Sequence, residues 1–113
     1  MSLDVSLVVE RPVSVHTGNI THNLGRMAAA VRVSLKYTLY DILWHPDDHG
    51  FTRADEIADY LDTAFNVLLS EPEYFRSFNP ENGWGSYETL VNFVYEYRNS
   101  CWDNPDAKIE VSR

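Results

Sequence analysis

Residues 15–26, VHTGNITHNLGR, place His16, Thr17, Asn19, Thr21, His22, Asn23 and Arg26 close together. The pattern predicts a turn at Thr17-Gly18-Asn19, then a helix whose N-cap is Asn19 or Thr21. A helix start offers unpaired backbone N–H groups and the positive end of the helix dipole, which suits a phosphate or a carboxylate. Gly18 would let the backbone approach such a group closely. His22 and Arg26 lie four apart and would share one helical face. The plainer alternative is that Asn and Thr only cap the helix while His22 packs against a neighbour.

A second cluster is FNPENGWGSY, residues 78–87. Pro80, Gly83 and Gly85 shape the backbone, while Asn79 and Asn82 can bond back to it or to a ligand. Trp84 between two glycines is either the buried anchor of the loop or one wall of a pocket. Tyr74, Phe75, Phe78 and Tyr87 lie nearby in the chain. Aromatic rings beside asparagines are what a purine or ribose-bearing molecule requires, since rings stack on a base and amides read its polar edges.

The third cluster is HPDDH, with His45, Asp47, Asp48 and His49. His45, Asp47 and His49 could ligate a metal for hydrolysis, or His45-x-Asp47 could serve an iron site. Pro-Asp-Asp before Gly50 is equally an ordinary turn between helices. Nucleophilic motifs and phosphate-cradling loops of the P-loop or dinucleotide type are absent. Cys101 falls on an apolar helical stripe, where cysteine usually acts as a small hydrophobe.

These residues need elements to hold them. Leu3, Val5, Leu7 and Val9 alternate at period two and predict a strand, interrupted at Pro12 and resumed over 13–16. Leu24, Met27, Val31, Leu35, Leu39 and Ile42 predict one helix of about five turns ending near Trp44, before Pro46. Thr52 and Asp55 resemble a capping box for a second helix whose inner face is Ile57, Leu61, Ala64, Phe65 and Leu68. Pro72 opens a short helical turn. Leu90, Phe93, Val94, Tyr97 and Cys101 mark a third main helix, and Ile109 and Val111 a final strand. The expected fold is a single α+β domain over residues 1–113. N- and C-terminal strands form a small antiparallel sheet, packed with about three main helices and open to completion by a second copy.

With 9 basic against 17 acidic residues and a net charge of −8, the chain is not expected to bind nucleic-acid polymers, which require basic surface. The acids concentrate between Asp41 and Asp62 and read as a solvated face. No apolar run is long enough to span a membrane, and the chain opens on no secretion signal. With one cysteine, a reducing cytoplasmic setting is expected.

The stretches NITHNLGRMA, LYDILWHPDD, EPEYFRSFNPENGWGSYETLVNFVYEYRNSC and NPDAKIEVSR resemble a group of small phage-encoded proteins. That group includes sponges that counter Thoeris defence by sequestering a cyclic ADP-ribose signal. The resemblance covers nearly all of residues 15–113 and implies a non-enzymatic, oligomeric binder without a cofactor, acting in the cytoplasm of an infected bacterium. It implies that Phe75, Asn82 and Trp84 contact a base or ribose and that Arg98 meets a phosphate. The candidate ligand-binding set is therefore Asn19, His22, Arg26, Phe75, Asn82, Trp84, Tyr87 and Arg98. Two other classes stay open: an acidic inhibitor of a host protein, steered by charge, and a metal-dependent hydrolase using His45, Asp47 and His49.

Overall fold

The computed structural model describes residues 1–9 and 13–113. The predicted interruption at Pro12 lies outside the described residues. Strand β1 (Ser2–Val9) pairs antiparallel with the C-terminal strand β3 (Lys108–Ser112) on one side and with β2 (Val13–Thr21) on the other. The sheet order is β2-β1-β3. Alternation sends Leu3, Val5 and Leu7 into the core and leaves Asp4 exposed. Burial of each such aliphatic side chain contributes roughly 1.5–3 kcal/mol relative to exposure.

β2 is longer than the sequence predicts, and Thr17-Gly18-Asn19 is strand rather than turn. Gly18 lies opposite Val5, and a Cβ there would come within 3.1 Å of the Phe93 ring. Glycine at this point keeps the sheet close to the helix above it. The register slips between Leu7 and Val8, so Val15 has no partner across the ladder. That is a β-bulge, which bends the strand locally.

The single five-turn helix expected from Leu24 to Ile42 does not form. A 3-10 turn (His22–Leu24) leads into α1 (Gly25–Ala29), and α2 (Leu39–Trp44) begins only after an irregular turn. Local polar bonds outcompete helix propagation there. Ser34 Oγ accepts from the backbone N–H groups of Lys36 and Tyr37, and the Val33 N–H donates to the Tyr37 carbonyl. Thr38 and Asp41 then form a reciprocal capping box that starts α2 afresh. Leu24, Met27, Val31, Leu39 and Ile42 are all buried, but through separate elements, whereas Leu35 is fully exposed at the tip of the turn. The helix ends at Trp44, before Pro46, as predicted.

α3 (Ala54–Ser70) is capped differently from expectation. Glu56, not Asp55, reaches back, its Oε1 accepting from the N–H groups of Thr52 and Arg53 at 2.8 Å each. The longer side chain spans the gap, while Asp55 pairs with the Arg53 guanidinium. Pro72 opens α4 (Pro72–Arg76), and Ser86 caps α5 (Tyr87–Asp103). α5 packs against α3 and across β2, where Tyr97 stacks on the His16 ring with centroids 5.5 Å apart. No helix among the described residues is long and apolar enough to cross a membrane.

Candidate functional site

The Gly83-Trp84-Gly85 turn is built by its backbone. Gly83 and Gly85 have φ of 76° and 93°, the left-handed region that side chains disfavour. Asn82 Oδ1 accepts from the Trp84 N–H at 2.9 Å, and Asn79 Oδ1 accepts from the Tyr87 N–H at 2.8 Å, tying the loop to the start of α5. A Cβ on Gly85 would lie 2.8 Å from Thr21 Cγ2 and 3.0 Å from Leu24. The loop therefore sits directly on the corner where β2 turns into α1. With both glycines turned, the indole of Trp84 points outward and is 69% exposed.

That indole borders an open hollow of about 490 Å³, lined also by Met1, Ser2, Asn19, Thr21, Asn23 and Asn82. The amides are partly committed. Asn19 Nδ2 donates to Ser2 Oγ at 2.8 Å and to Asp4 Oδ1 at 2.6 Å. Asn23 Nδ2 donates to Thr21 Oγ1, and Asn82 Oδ1 is held by the Trp84 N–H. The amide oxygens of Asn19 and Asn23 and the amide nitrogen of Asn82 have no partner among the described residues. The hollow thus joins an aromatic face to amide groups of both senses, acceptor and donor.

A neighbouring hollow of about 370 Å³ shares Asn23 and is lined by Arg26, Ser77, Phe78, Asn79, Pro80 and Glu81. Arg26 is exposed and forms no ion pair among the described residues, unlike Arg53, Arg76, Arg98 and Arg113. Glu81 on the same wall sets an acid near it.

The structure thus brings Asn19, Asn82 and Trp84 together, with Arg26 next door. It does not bring in the other four. His22 is half-buried beside Trp44, ring centroids 6.1 Å apart, and its Nε2 is buried with no partner. Phe75 is 1% exposed and belongs to the core. Tyr87 is buried at the first turn of α5, where its hydroxyl donates to the Leu68 carbonyl at 2.6 Å. Arg98 pairs with Asp62 at 3.1 Å and stacks on Phe65 and Trp102, on the face between α3 and α5. Tyr87 and Arg98 share the helical spacing of Leu90, Val94 and Cys101, so the phase of α5 turns them inward. The expected anion site at a long helix start is lost as well, because α1 is a five-residue segment and Asn19 lies in a strand. Ser2 enters the hollow through its pairing with Thr21, a juxtaposition that strand alternation alone does not reveal.

The HPDDH residues separate rather than converge. His45 Nδ1 meets Asp48 at 3.0 Å, His49 meets Asp41 at 3.5 Å, and Asp47 is held by Arg113 at 2.9 Å. The Arg113 guanidinium lowers the Asp47 carboxyl below its usual range. Among the described residues no three His, Cys, Asp or Glu side chains gather as a metal site. Comparison with family models, with curated proteins and with solved structures finds no match for this chain.

Proposed function

We propose that the chain captures a small nucleotide-derived molecule and holds it without chemical change. The supporting observation is the outward indole of Trp84, which two left-handed glycines fix as a wall of a hollow whose other polar groups are amides and hydroxyls. A flat exposed ring stacks on a base, and the uncommitted amide oxygens and nitrogen match donors and acceptors on its edge. The lining side chains are neutral groups that bind rather than transfer protons. A volume of about 490 Å³ suits a ligand of nucleotide size. Arg26 in the adjoining hollow supplies a positive charge for a phosphate. The biological role that fits is sequestration of a cyclic ADP-ribose-type immune signal, or a cyclic oligonucleotide, by a phage counter-defence protein in the host cytoplasm. Copies of the chain associate in this reading.

The test is calorimetric titration of the purified chain with cyclic ADP-ribose and with nucleoside phosphates, followed by mass spectrometry of the molecule released on heating. Release of unchanged ligand is expected. Trp84→Ala should weaken binding by roughly 5- to 150-fold, the equivalent of about 1–3 kcal/mol of base stacking. With Trp84 so exposed, the same variant should keep thermal stability within about 0.5 kcal/mol. Unaltered affinity in Trp84→Ala, or a modified product, overturns the proposal.

A second reading rests on the exposed carboxylates of Asp47, Asp48, Asp55 and Asp59, which suit a basic surface on a host protein. It is favoured if replacing all four with Asn abolishes counter-defence activity while Trp84→Ala leaves that activity intact.

A further inference from the structure

The sheet has two edges, and the chain treats them differently. The outer edge of β3 is covered from within: the Ile109 N–H donates to the Thr52 carbonyl at 2.9 Å, and Arg53 bridges to Lys108. Among the described residues, β2 has no such cover.

The hydrogen-bond phase of β2 follows from one bond. The His22 N–H donates to the carbonyl of Met1, directly opposite, at 3.3 Å. In an antiparallel ladder, residues that bond face to face alternate with residues that turn their backbone groups the other way. Ile20 and Gly18 therefore bond to β1, while Thr17 and Asn19 direct their N–H and C=O groups to the open edge. Among the described residues, neither has a backbone partner there.

Natural sheets guard a long open edge with lysine, proline, inward charges or bulges. Here the Val15 bulge disturbs one end of β2, but Thr17–Thr21 carries no charge and no proline. The uncharged stretch is wider still: residues 12–25 contain no Asp, Glu, Lys or Arg, the longest such run in the chain.

That run also selects the occupant. Two copies that each carry a net charge of −8 repel wherever their acidic surfaces meet. Along Thr17–Thr21 no like charges face each other, and identical strands related by a two-fold axis can exchange backbone bonds symmetrically. We infer that β2 pairs antiparallel with β2 of a second copy along Thr17–Thr21, joining two three-stranded sheets into one of six strands. Strands so paired lie about 4.8 Å apart, so the partner's strand runs beside Asn19, at the rim of the Trp84 hollow. The inference deepens the self-association in the proposed function and is tested apart from ligand capture.

The experiment is sedimentation equilibrium on the full chain over a range reaching sub-millimolar concentrations. The wild type should approach twice its 13.0 kDa mass. Thr17→Pro removes only an N–H that faces the edge, a place where strands accept proline. Thr17→Lys instead sets a charged, strongly hydrated side chain at each end of the paired stretch, opposite Thr21 of the partner, the device by which natural edge strands refuse a neighbour. Both should shift the protein to monomer with an unchanged circular dichroism spectrum, and Thr17→Lys serves alone should the proline variant fail to fold. Ser6→Lys, on the same sheet face but in the central strand, should dimerise like wild type. So should Trp84→Ala, which separates failure of pairing from failure of capture. A wild type that stays monomeric throughout, or a dimer that persists in folded Thr17→Lys, overturns the inference.

Discussion

At position 85 the lack of a single methyl group lets the tryptophan loop seat. Gly85→Ala would drive a Cβ into Thr21 and Leu24 and strain a left-handed backbone, costing roughly 1–3 kcal/mol as overpacking does. Gly83→Ala meets open space and carries the backbone penalty alone, about 1–2 kcal/mol. Thermal melts should therefore rank Gly85→Ala as the less stable, and only that variant should also disturb the hollow. Tyr97 works in the opposite direction. Its hydroxyl is buried with no partner among the described residues, and burial pushes its pKa upward. An unsatisfied buried polar group costs about 1–3 kcal/mol, so Tyr97→Phe should raise stability, by roughly 1 kcal/mol in urea denaturation. The flanking glycines made Trp84 legible in the sequence as a residue with a special backbone. Phe75 and Tyr87 were not legible as core, because nearness in sequence says nothing about helical phase until the helix that carries them is positioned.

Two elements carry acid-sensitive joints whose sign can be worked out. Glu56 caps α3, and the N–H groups of Thr52 and Arg53 hold its carboxyl below the ordinary 4.5. The folded chain thus binds that proton less readily than the unfolded chain, so the cap's stabilisation is present above about pH 4.5 and is lost as pH falls through the folded value. His16, between β2 and α5, is lowered from 6.5 by burial, against the opposing pull of Glu96. Its contribution has the same sign and fades earlier, as pH drops below 6.5. Urea midpoints measured from pH 7.5 to 3.5 should fall in two stages, with His16→Gln flattening the upper one and Glu56→Gln reducing the lower, to which the lowered carboxyls of Asp47 and Glu88 also contribute. At this scale the terminal strands, α3 and α5 were legible, because period-two and period-3.6 patterns of apolar residues each met one matching element. The helix expected from Leu24 to Ile42 does not form, for a physical reason. Its stripe was real, yet Ser34 and the Thr38-to-Asp41 box supplied local bonds that ended one segment and started another. Strand β2 was not legible past residue 16, because Gly18 and Asn19 look like a turn until Val5 and Phe93 are seen to need a residue without a side chain.

Across the whole molecule, β1 and β3 at opposite ends of the sequence lie side by side, and α5 closes the core over Cys101. Burial pushes that thiol up to about 12, so it carries almost no thiolate near neutrality. An aromatic disulfide reagent should leave the native protein unlabelled and react fully in denaturant; labelling under native conditions at the rate of an exposed peptide thiol would contradict the packing described for α5. Charge follows a simple division, with Asp47, Asp48, Asp55, Glu56 and Asp59 exposed to solvent and the hollow beside Trp84 lined by neutral side chains. The three tryptophans occupy three unlike settings: Trp44 is buried, Trp102 lies against the Arg98 guanidinium, and Trp84 faces water. The chain consequently carries built-in optical probes. Red-emitting fluorescence from Trp84 should be quenched selectively by soluble iodide or acrylamide and by a stacked base, whereas the bluer emission of Trp44 should shift only when the whole core melts.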